Sequence, residues 1–501
     1  MTHHPEHGAV AAGHGLTARA AEEILRAGGN AVDAAIAAAA MACVVEPVLA
    51  GPLGGGFAVV QDGAAAEPVF CDFFSQTPKR RNERARVVAA EADFGDATQI
   101  FHIGPGTVAT PGMMPGLLAL HERHGRLAWG ELFKPAAEVA ERGHAVSPFQ
   151  AGLLRIIAPI VTHTESARAL FAPGGGLLEA GETLRNPGQA RFWRLMGEGA
   201  HDAYVNVIWP ALLESAGPEA GGHLREDDLA AYGAHWRAPL RATLGAVEAA
   251  VWLNPPPAAS GVLIALALDR LERAGEDAAS GACADSAVCA RALALRFADE
   301  RRRAADHDLT KLLAQLPASW RGTTHISVVD AHGMVCAMTV SNGEGNGHML
   351  GDFGFMPNNM LGEEDVNPAG ARGFPEDVRM SSMMSPVLAR RRDGARFALG
   401  SGGSNRIRSA LFLVLTRLLI DGARLEEAVR APRLHVENGF LDVEPGLGEV
   451  DVAALRRAFP EHRVWSRPSM FFGGVHAVML TPEGRLAAVG DFRRDGVGVV
   501  V

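Results

Sequence analysis

The stretch "RGTTHISVVD", residues 321–330, joins a short basic turn to a run that alternates like a β-strand. Two threonines, Thr323 and Thr324, stand where that strand begins. Because β-branched residues are common in strands, an ordinary strand start is one interpretation. A second interpretation follows from chemistry, since a threonine hydroxyl is a weak nucleophile that needs an adjacent base. If the chain is cut before Thr323, the new α-amino group supplies that base within the same residue.

The sequence after Thr323 has the turns that such a site needs. "TTHISVVD" and "MVCAMTVS" flank the turn "AHG" and predict a two-stranded hairpin. Further along, the glycine turn "GSGGSNR", residues 400–406, leads into a long apolar helix. Consecutive backbone N–H groups in a glycine turn can form the oxyanion hole of an acyl-transfer site.

Helical and strand patterns alternate in the rest of the chain. "GLTARAAEEILRAGGNAVDAAIAAAAMACVVEP" predicts two helices, with Thr17 as the cap of the first and Asn30 as the cap of the second. A strand is predicted from Phe57 to Gln61, and the pattern from Thr107 to about Glu300 is mostly helical. This order of helices and strand pairs fits helices on both sides of packed sheets.

Composition excludes several classes of function. The chain has 501 residues, 48% of them hydrophobic and 21% charged, with a formal net charge of −10 and only short Lys/Arg runs. A nucleic-acid partner is therefore not expected. The amino terminus lacks the features of a secretory signal, and the longest apolar stretch, Ala34 to Val45, is too short to cross a bilayer. The sequence thus predicts a cytoplasmic protein that does not associate with membranes.

The cysteines suggest neither a disulfide framework nor a metal site. There are five, an odd number without a C-x-x-C pair, so we expect buried thiols. No cofactor or metal is predicted, because the acyl chemistry of an N-terminal threonine requires none.

Eight segments, in this order, carry a resemblance to a known family: "ILRAGGNAVDAA", "GPLGGGF", "GTVATPG", "EDDLAAY", "PPPAASG", "TTHISVVD", "SSMMSP" and "GSGGSNRI". Over nearly its whole length the chain resembles the γ-glutamyltransferase family of N-terminal nucleophile hydrolases. The resemblance implies an α+β proenzyme with a four-layer αββα core that cleaves itself between Gly322 and Thr323. Residues 1–322 would form the large subunit and residues 323–501 the small subunit, both within one fold. Association of these heterodimers into larger assemblies is left open.

The resemblance also implies roles for individual residues. Thr323 would attack the acyl carbonyl, and Ser341 fills the position of the family's second threonine, which supports the nucleophile. The family's oxyanion pair corresponds to Gly403 and Ser404, with Gly402–Gly403 as the alternative after a shift of one residue. Acyl transfer to water or to an amine acceptor would then pass through a covalent acyl-enzyme with ping-pong kinetics.

The side that binds the substrate α-carboxylate departs from the family's pattern. Where the family has a carboxylate-binding arginine, this chain has Phe74, and a phenyl ring cannot replace a guanidinium. The family's paired serines correspond to Ser382 and Met383, with Ser381 directly before them, so one hydroxyl is lost. An ordinary cap or turn remains the alternative for the two serines. The nearby Arg80 and Arg81 could replace the lost arginine, although a solvated basic turn is their commoner meaning.

The side that binds the substrate α-amine departs as well. The family's acid corresponds to Gly362, and Glu363 comes one residue later. Glu363 is a candidate substrate-binding residue, with a solvated surface acid as the alternative. The family's asparagine two residues after the second threonine corresponds to Gly343.

Three hypotheses follow. The first is an enzyme that hydrolyses or transfers the γ-glutamyl group of glutathione or related amides. In the second, the same machinery acts on another acyl donor, as in oxamate amidohydrolases and cephalosporin acylases. The third is a relative that never matures and serves as a binding protein. The expected partners are accordingly a small-molecule amide and a water, amino-acid or peptide acceptor.

Overall fold

The computed structural model describes residues 7–64, 66–93, 98–276, 286–304, 322–363, 366–367 and 369–501. The strands in these ranges are β1 (Gly8–Ala12), β2 (Gly55–Gln61), β3 (Val69–Phe73), β4 (Val88–Asp93), β5 (Thr98–Ile103), β6 (His144–Ala145), β7 (Thr183–Leu184), β8 (His235–Arg237), β9 (Leu240–Leu244), β10 (Ala249–Leu253), β11 (Thr324–Asp330), β12 (Val335–Ser341), β13 (Val387–Arg390), β14 (Arg396–Gly402), β15 (Leu434–Glu437), β16 (Phe440–Val443), β17 (His462–Val464), β18 (Gly474–Leu480), β19 (Leu486–Val489) and β20 (Val497–Val500).

The α-helices in the same ranges are α1 (Gly15–Arg26), α2 (Ala31–Val45), α3 (Met113–His124), α4 (Lys134–Arg142), α5 (Pro148–Ile156), α6 (Ala158–Val161), α7 (Glu165–Phe171), α8 (Pro187–Ala203), α9 (Trp209–Ala216), α10 (Glu226–Ala231), α11 (Ser260–Glu276), α12 (Ala287–Ala304), α13 (Arg406–Leu419), α14 (Leu425–Arg430) and α15 (Glu449–Ala458). None of them combines the length and the apolar character that a bilayer-spanning helix requires.

Two antiparallel sheets form the centre of the molecule. The first has seven strands in the order β20, β1, β11, β12, β2, β3, β8, and the second has six in the order β19, β18, β14, β13, β10, β9. Alternate side chains of β1 and β11 point to opposite faces of the first sheet. One set, with Ala9, Ala11 and Val329, meets Leu388 and Val478 of the second sheet in an apolar layer between the sheets.

Helices cover the outer face of each sheet and complete the four-layer αββα arrangement. Helices α1 and α2 pack on the first sheet, and α11 and α13 pack on the second. Helix α2 can lie close to its sheet because it is rich in alanine and wholly buried. Both sheets combine strands from before and after Gly322, so the two predicted subunits share one fold.

Three expectations about local structure can be compared with the fold. Asn30 caps α2 with a full capping box, as predicted. The prediction for α1 is wrong, because His14 caps that helix while the Thr17 hydroxyl donates a hydrogen bond to Glu46 (2.8 Å). The cysteine prediction is wrong at Cys289, which is in a disulfide. Three other cysteines are free and buried: Cys43, Cys71 and Cys336.

Candidate active site

Thr323 lies directly before β11 and borders a small cavity that is partly open to solvent. The hairpin of β11 and β12 places Ser341, the last residue of β12, beside it, because Thr324 pairs with Val340. The described residues that line the cavity are Phe74, Thr323, Ser341, Met360, Glu363, Val366, Ser382, Met383, Met384, Ser404 and Ile407. The structure therefore brings together five of the seven predicted site residues, Thr323, Ser341, Glu363, Ser382 and Ser404.

Two hydroxyl groups converge on the carbonyl oxygen of Gly322 in the uncut chain. Thr323 Oγ1 donates a hydrogen bond to that oxygen at 2.8 Å, and Ser341 Oγ donates another at 2.5 Å. The backbone N–H of Gly343 donates to Ser341 Oγ at 3.1 Å and fixes the position of its hydroxyl. The peptide bond before Thr323 is therefore polarised next to a potential nucleophile.

Glu344 holds the peptide group on the N-terminal side of Gly322. Its Oε1 accepts a hydrogen bond from the backbone N–H of Gly322 at 3.1 Å. Asn359 orients Glu344 from both directions, because its Oδ1 accepts the Glu344 N–H at 3.0 Å and its Nδ2 donates to Oε2 at 3.4 Å. Sequence reasoning missed Glu344, although its place in the glycine-rich loop three residues after Ser341 was an available signal.

The glycine turn after β14 lies against the nucleophile. Gly402 packs so closely on the Thr323 backbone that a Cβ there would lie 2.2 Å from the Thr323 carbonyl oxygen. Gly403 has a φ of +124°, and Ser404 has a φ of +52°, a left-handed conformation that is uncommon for residues other than glycine. Helix α13 begins two residues later, and its N-terminus favours negative charge near the cavity.

Two buried ionisable residues that sequence reasoning also missed, Arg494 and Glu46, lie behind the nucleophile. Arg494 Nη1 lies 3.5 Å from the carbonyl oxygen of Thr323, and burial lowers the pKa of its guanidinium to about 10. Glu46 accepts hydrogen bonds from the hydroxyls of Thr324 (2.7 Å) and Thr17 (2.8 Å). Burial raises the pKa of the Glu46 carboxyl to about 7, although both hydroxyls and Arg494 act in the opposite direction.

The part of the cavity where a carboxylate-binding arginine was expected is apolar. The Phe74 ring is buried and stacks on Phe57 with 5.5 Å between the ring centroids. Met383 lines the cavity beside Ser382, whose Oγ accepts the Met384 N–H at 3.1 Å. Ser381 is not among the described lining residues, and its hydroxyl donates to the carbonyl of Pro257 at 2.8 Å.

Glu363 is buried and lines the cavity, so the alternative of a solvated surface acid is wrong. A Cβ at Gly343 would lie 2.0 Å from Glu363 Oε1 and equally close to Asn359 Oδ1. The carboxylate thus occupies the space that a side chain at position 343 would need. Gly362, by contrast, packs against the carbonyl of His102.

Other candidate residues lie elsewhere. Arg80 and Arg81 form exposed ion pairs with Asp227 (2.8 Å) and Glu376 (3.3 Å), as expected for a solvated turn. His325 was assigned no role, and its ring is buried between the hydroxyls of Thr339 and Ser327, each at 2.8 Å. The described part of the chain contains no cluster of three or more histidine, cysteine or acidic residues able to hold a metal ion.

Comparison with known proteins decides the family. The family model for gamma-glutamyltranspeptidase matches residues 17–318 and 316–501. The chain belongs to this family. The acylase ACY 1 proenzyme of Pseudomonas sp. (strain SE83) is 29% identical over 99% of this chain and 93% of its own length. The glutathione hydrolase proenzyme of Escherichia coli (strain K12) is 25% identical over 97% of this chain and 90% of its own length.

A solved structure supports the fold of this γ-glutamyltranspeptidase-family chain. The cephalosporin acylase from Bacillus halodurans superposes with a TM-score of 0.77, covering 99% of this chain and 96% of its own, at 22% sequence identity. The family match confirms the predictions of the family and of an enzyme, and the superposition confirms the predicted N-terminal nucleophile hydrolase fold.

Proposed function

We propose that this enzyme cleaves its own chain between Gly322 and Thr323 and then hydrolyses or transfers the acyl group of small amides through an ester on Thr323. The observation that carries the proposal is the pair of hydroxyls, from Thr323 and Ser341, on the Gly322 carbonyl. In an ordinary strand start nothing requires two side chains to converge on the preceding peptide. Residues 1–322 and 323–501 become the large and small subunits.

Self-cleavage would begin with attack of Thr323 Oγ1 on the carbonyl carbon of Gly322. The hydroxyl proton passes to the peptide nitrogen as the C–N bond breaks, which leaves an ester and a free α-amine. Water then hydrolyses the ester and releases the Gly322 carboxylate. Ser341 Oγ stabilises the negative charge that develops on the Gly322 oxygen, and Glu344 holds the Gly322 N–H so that the carbonyl stays in place.

Turnover would reuse the same groups on a substrate. The α-amine of Thr323 takes the proton of its own hydroxyl, which attacks the amide carbonyl of the donor. The backbone N–H groups of Gly403 and Ser404 are the proposed oxyanion hole. Ser404 borders the cavity, whereas Gly402 is paired within β14 opposite Gly474, which favours this pair over Gly402–Gly403. The acyl-enzyme then passes its acyl group to water or to an amine.

Two donor classes remain candidates. A γ-glutamyl donor is supported by Glu363 and Ser382 at the cavity wall, and the name of the Escherichia coli relative, glutathione hydrolase proenzyme, agrees with it. A different acyl donor is favoured by the apolar side chains of Phe74 and Met383, and the name acylase ACY 1 proenzyme agrees with that alternative. Glu363 and Ser382 are proposed to contact the donor, while Ser381 is proposed only to support Ser382.

Intact mass and amino-terminal sequencing of freshly purified protein test self-cleavage. We expect two fragments, the smaller beginning Thr-Thr-His-Ile, and a whole chain for Thr323→Ala. The processed enzyme is then assayed with chromogenic anilides of γ-glutamyl and simpler acyl groups. A wild-type chain that stays whole for days at several pH values would refute the proposal and favour a binding role.

A further inference from the structure

The turn that carries the proposed oxyanion hole is attached to a distant strand by one side chain. Asn405 follows Ser404 directly and is only 2% exposed. Its Nδ2 donates a hydrogen bond to Glu437 Oε1 at 2.7 Å. Glu437 is the last residue of β15 and is also buried. The Asn405 side chain therefore connects the turn to a buried carboxylate.

The backbone of the turn depends on such a connection. Ser404 has a positive φ, which is unfavourable for a residue with a Cβ. The backbone bonds across the turn, from Arg406 N–H to the Gly403 carbonyl (3.1 Å) and from Ile407 N–H to the Ser404 carbonyl (3.0 Å), hold carbonyl groups. The directions of the Gly403 and Ser404 N–H groups follow the peptide planes, so a small rotation of the turn would displace both.

Glu437 is a well-fixed partner because charged side chains surround it. Its Oε2 lies 3.2 Å from His435 Nε2, and its Oε1 lies 3.5 Å from Arg302 Nη2 and 3.9 Å from Arg408 Nη2. Burial disfavours ionisation, but the histidine and the two arginines lower the pKa of Glu437 to about 2. The carboxylate is thus ionised at neutral pH, and the hydrogen bond from Asn405 is charge-assisted.

The carbonyl group of Asn405 is held as well. Arg408 Nε donates to it at 3.2 Å, and Arg408 Nη2 donates to the buried Asp299 at 3.1 Å. Asp299 lies on α12, before the proposed cleavage site, whereas Arg408 and Glu437 come after it. Residues of both proposed subunits therefore fix position 405.

We propose that Asn405 is a positioning residue, which uses its hydrogen bond to Glu437 to keep the N–H groups of Gly403 and Ser404 directed at the oxyanion of the substrate. This inference rests on the proposed function and adds a residue to its machinery. Asn405 touches neither the substrate nor the nucleophile in this role and acts through the turn alone.

The two reactions of the enzyme separate this role from a merely structural one. In self-cleavage, the oxygen of Gly322 is stabilised by the hydroxyl of Ser341. In turnover, the oxyanion binds to the N–H groups of the turn. Loss of the Asn405 side chain should therefore slow turnover and leave self-cleavage at its normal rate, whereas a general defect in folding would slow both.

Asn405→Ala removes the amide and tests the inference directly. The processed variant is assayed with the p-nitroanilide, γ-glutamyl, glutaryl or butanoyl, that the wild-type enzyme cleaves fastest. Removal of one oxyanion donor usually lowers kcat by about a hundred- to thousandfold, so two displaced donors are expected to cost about ten- to hundredfold. KM should stay within about twofold, because the lost interaction is made in the transition state. Self-cleavage is followed in parallel on denaturing gels.

Ser409→Ala is the matched control. The Ser409 hydroxyl lies 2.9 Å from His435 Nδ1, the ring nitrogen that does not face Glu437. This variant removes a buried hydrogen bond from the same network without releasing Asn405. It should lower Tm and leave kcat unchanged.

Two variants of the carboxylate separate the hydrogen bond from the charge. Glu437→Gln and Glu437→Leu both remove the charge, but only glutamine keeps an oxygen that can accept from Asn405. We expect kcat of Glu437→Gln to exceed that of Glu437→Leu by about tenfold or more, at similar rates of self-cleavage.

The outcomes distinguish this inference from the proposed function. Equal slowing of self-cleavage and turnover in Asn405→Ala, an unchanged kcat, or an equal loss of kcat in Ser409→Ala overturns the inference and leaves Thr323 as nucleophile. A processed wild-type enzyme with no rate above a Thr323→Ala blank on any anilide overturns both. If Asn405→Ala fails to fold, equal kcat values for the two Glu437 variants overturn the inference.

Discussion

Replacement of the buried acid behind the nucleophile should make the protein more stable at alkaline pH. Burial raises the pKa of the Glu46 carboxyl from its ordinary value of 4.5 to about 7. Because the folded-state pKa is the higher one, the stability linked to Glu46 is fully present below pH 4.5 and is lost as the pH rises through 7. A difference of about 2.5 pKa units at 1.36 kcal/mol each gives a loss of roughly 3 kcal/mol by pH 8.

Glu46→Gln should abolish this loss, since glutamine has no charge, its oxygen can accept from one of the two threonine hydroxyls, and its amide N–H can donate to the other. The unfolding entropy of a 501-residue chain is about 1 kcal/mol per kelvin at ~2.1 cal/mol/K per residue, so the gain corresponds to a rise in Tm of about 3 °C. The assay is calorimetry between pH 4.5 and 8 on Thr323→Ala protein, which keeps the chain uncut. The Tm difference between variant and parent should grow with pH.

The reasoning would be refuted by a Tm difference that is the same at every pH, or by a variant that becomes less stable than its parent at pH 8. The first result would mean that Arg494 and the two hydroxyls balance the effect of burial on an ionised Glu46, and the second that they outweigh it. The exposed Glu449→Gln serves as the control, and its Tm difference should not grow with pH.

Three further predictions follow from the contacts of the site and the core. Ser341→Ala should slow self-cleavage by about a hundredfold, because the Gly322 oxygen loses a hydrogen bond. Ser341→Thr keeps the hydroxyl and should retain most of the rate. A time course of cleavage on denaturing gels measures both variants. Arg494→Met should move the acidic limb of the plot of kcat/KM against pH to higher pH by about one unit. The reason is that a cation beside Thr323 lowers the pKa of its α-amine, and removal of the cation raises that pKa. An acidic limb that stays in place would refute this prediction. Burial disfavours ionisation of Glu437, but a histidine and two arginines hold its pKa at about 2. Glu437→Gln should therefore destabilise the protein at pH 7 by roughly 3 kcal/mol, with a smaller gap at pH 3, as followed by urea unfolding.

The part of the site that lies on consecutive strands could be predicted from the sequence. Thr323 and Ser341 lie on one hairpin, and a hairpin with a short turn fixes the pairing of its strands, so their proximity follows from the chain order. The glycine turn at 402–404 was recognisable because its composition restricts the backbone. Local sequence alone allows Thr323 to be either an ordinary strand start or a nucleophile. The family resemblance decides between these two interpretations.

The residues that the sequence could not indicate reach the site over long separations. Arg494 contacts the Thr323 carbonyl across 171 residues, and no local pattern distinguishes it from a surface arginine. Glu46 follows α2 directly, and its hydrogen bonds come from Thr17 and Thr324 on two distant elements. The helix cap expected at Thr17 is wrong because α1 begins at Gly15 with His14 as its cap, which places Thr17 in the first turn, where its hydroxyl donates to the distant Glu46.

The departures from the family pattern on the amine side are physically coupled. A side chain at position 343 would collide with the carboxylate of Glu363, since its Cβ would lie 2.0 Å from Oε1. An acid that occupies this position at 363 therefore requires glycine at 343, whereas Gly362 packs against the carbonyl of His102. Aligned by position alone, the two changes look like two separate losses of polar groups. In the structure the two changes are linked, because position 343 has no side chain and the Glu363 carboxylate occupies that space. A search for relatives with the same donor preference should therefore look for glycine and acid at these two positions together, rather than for either one.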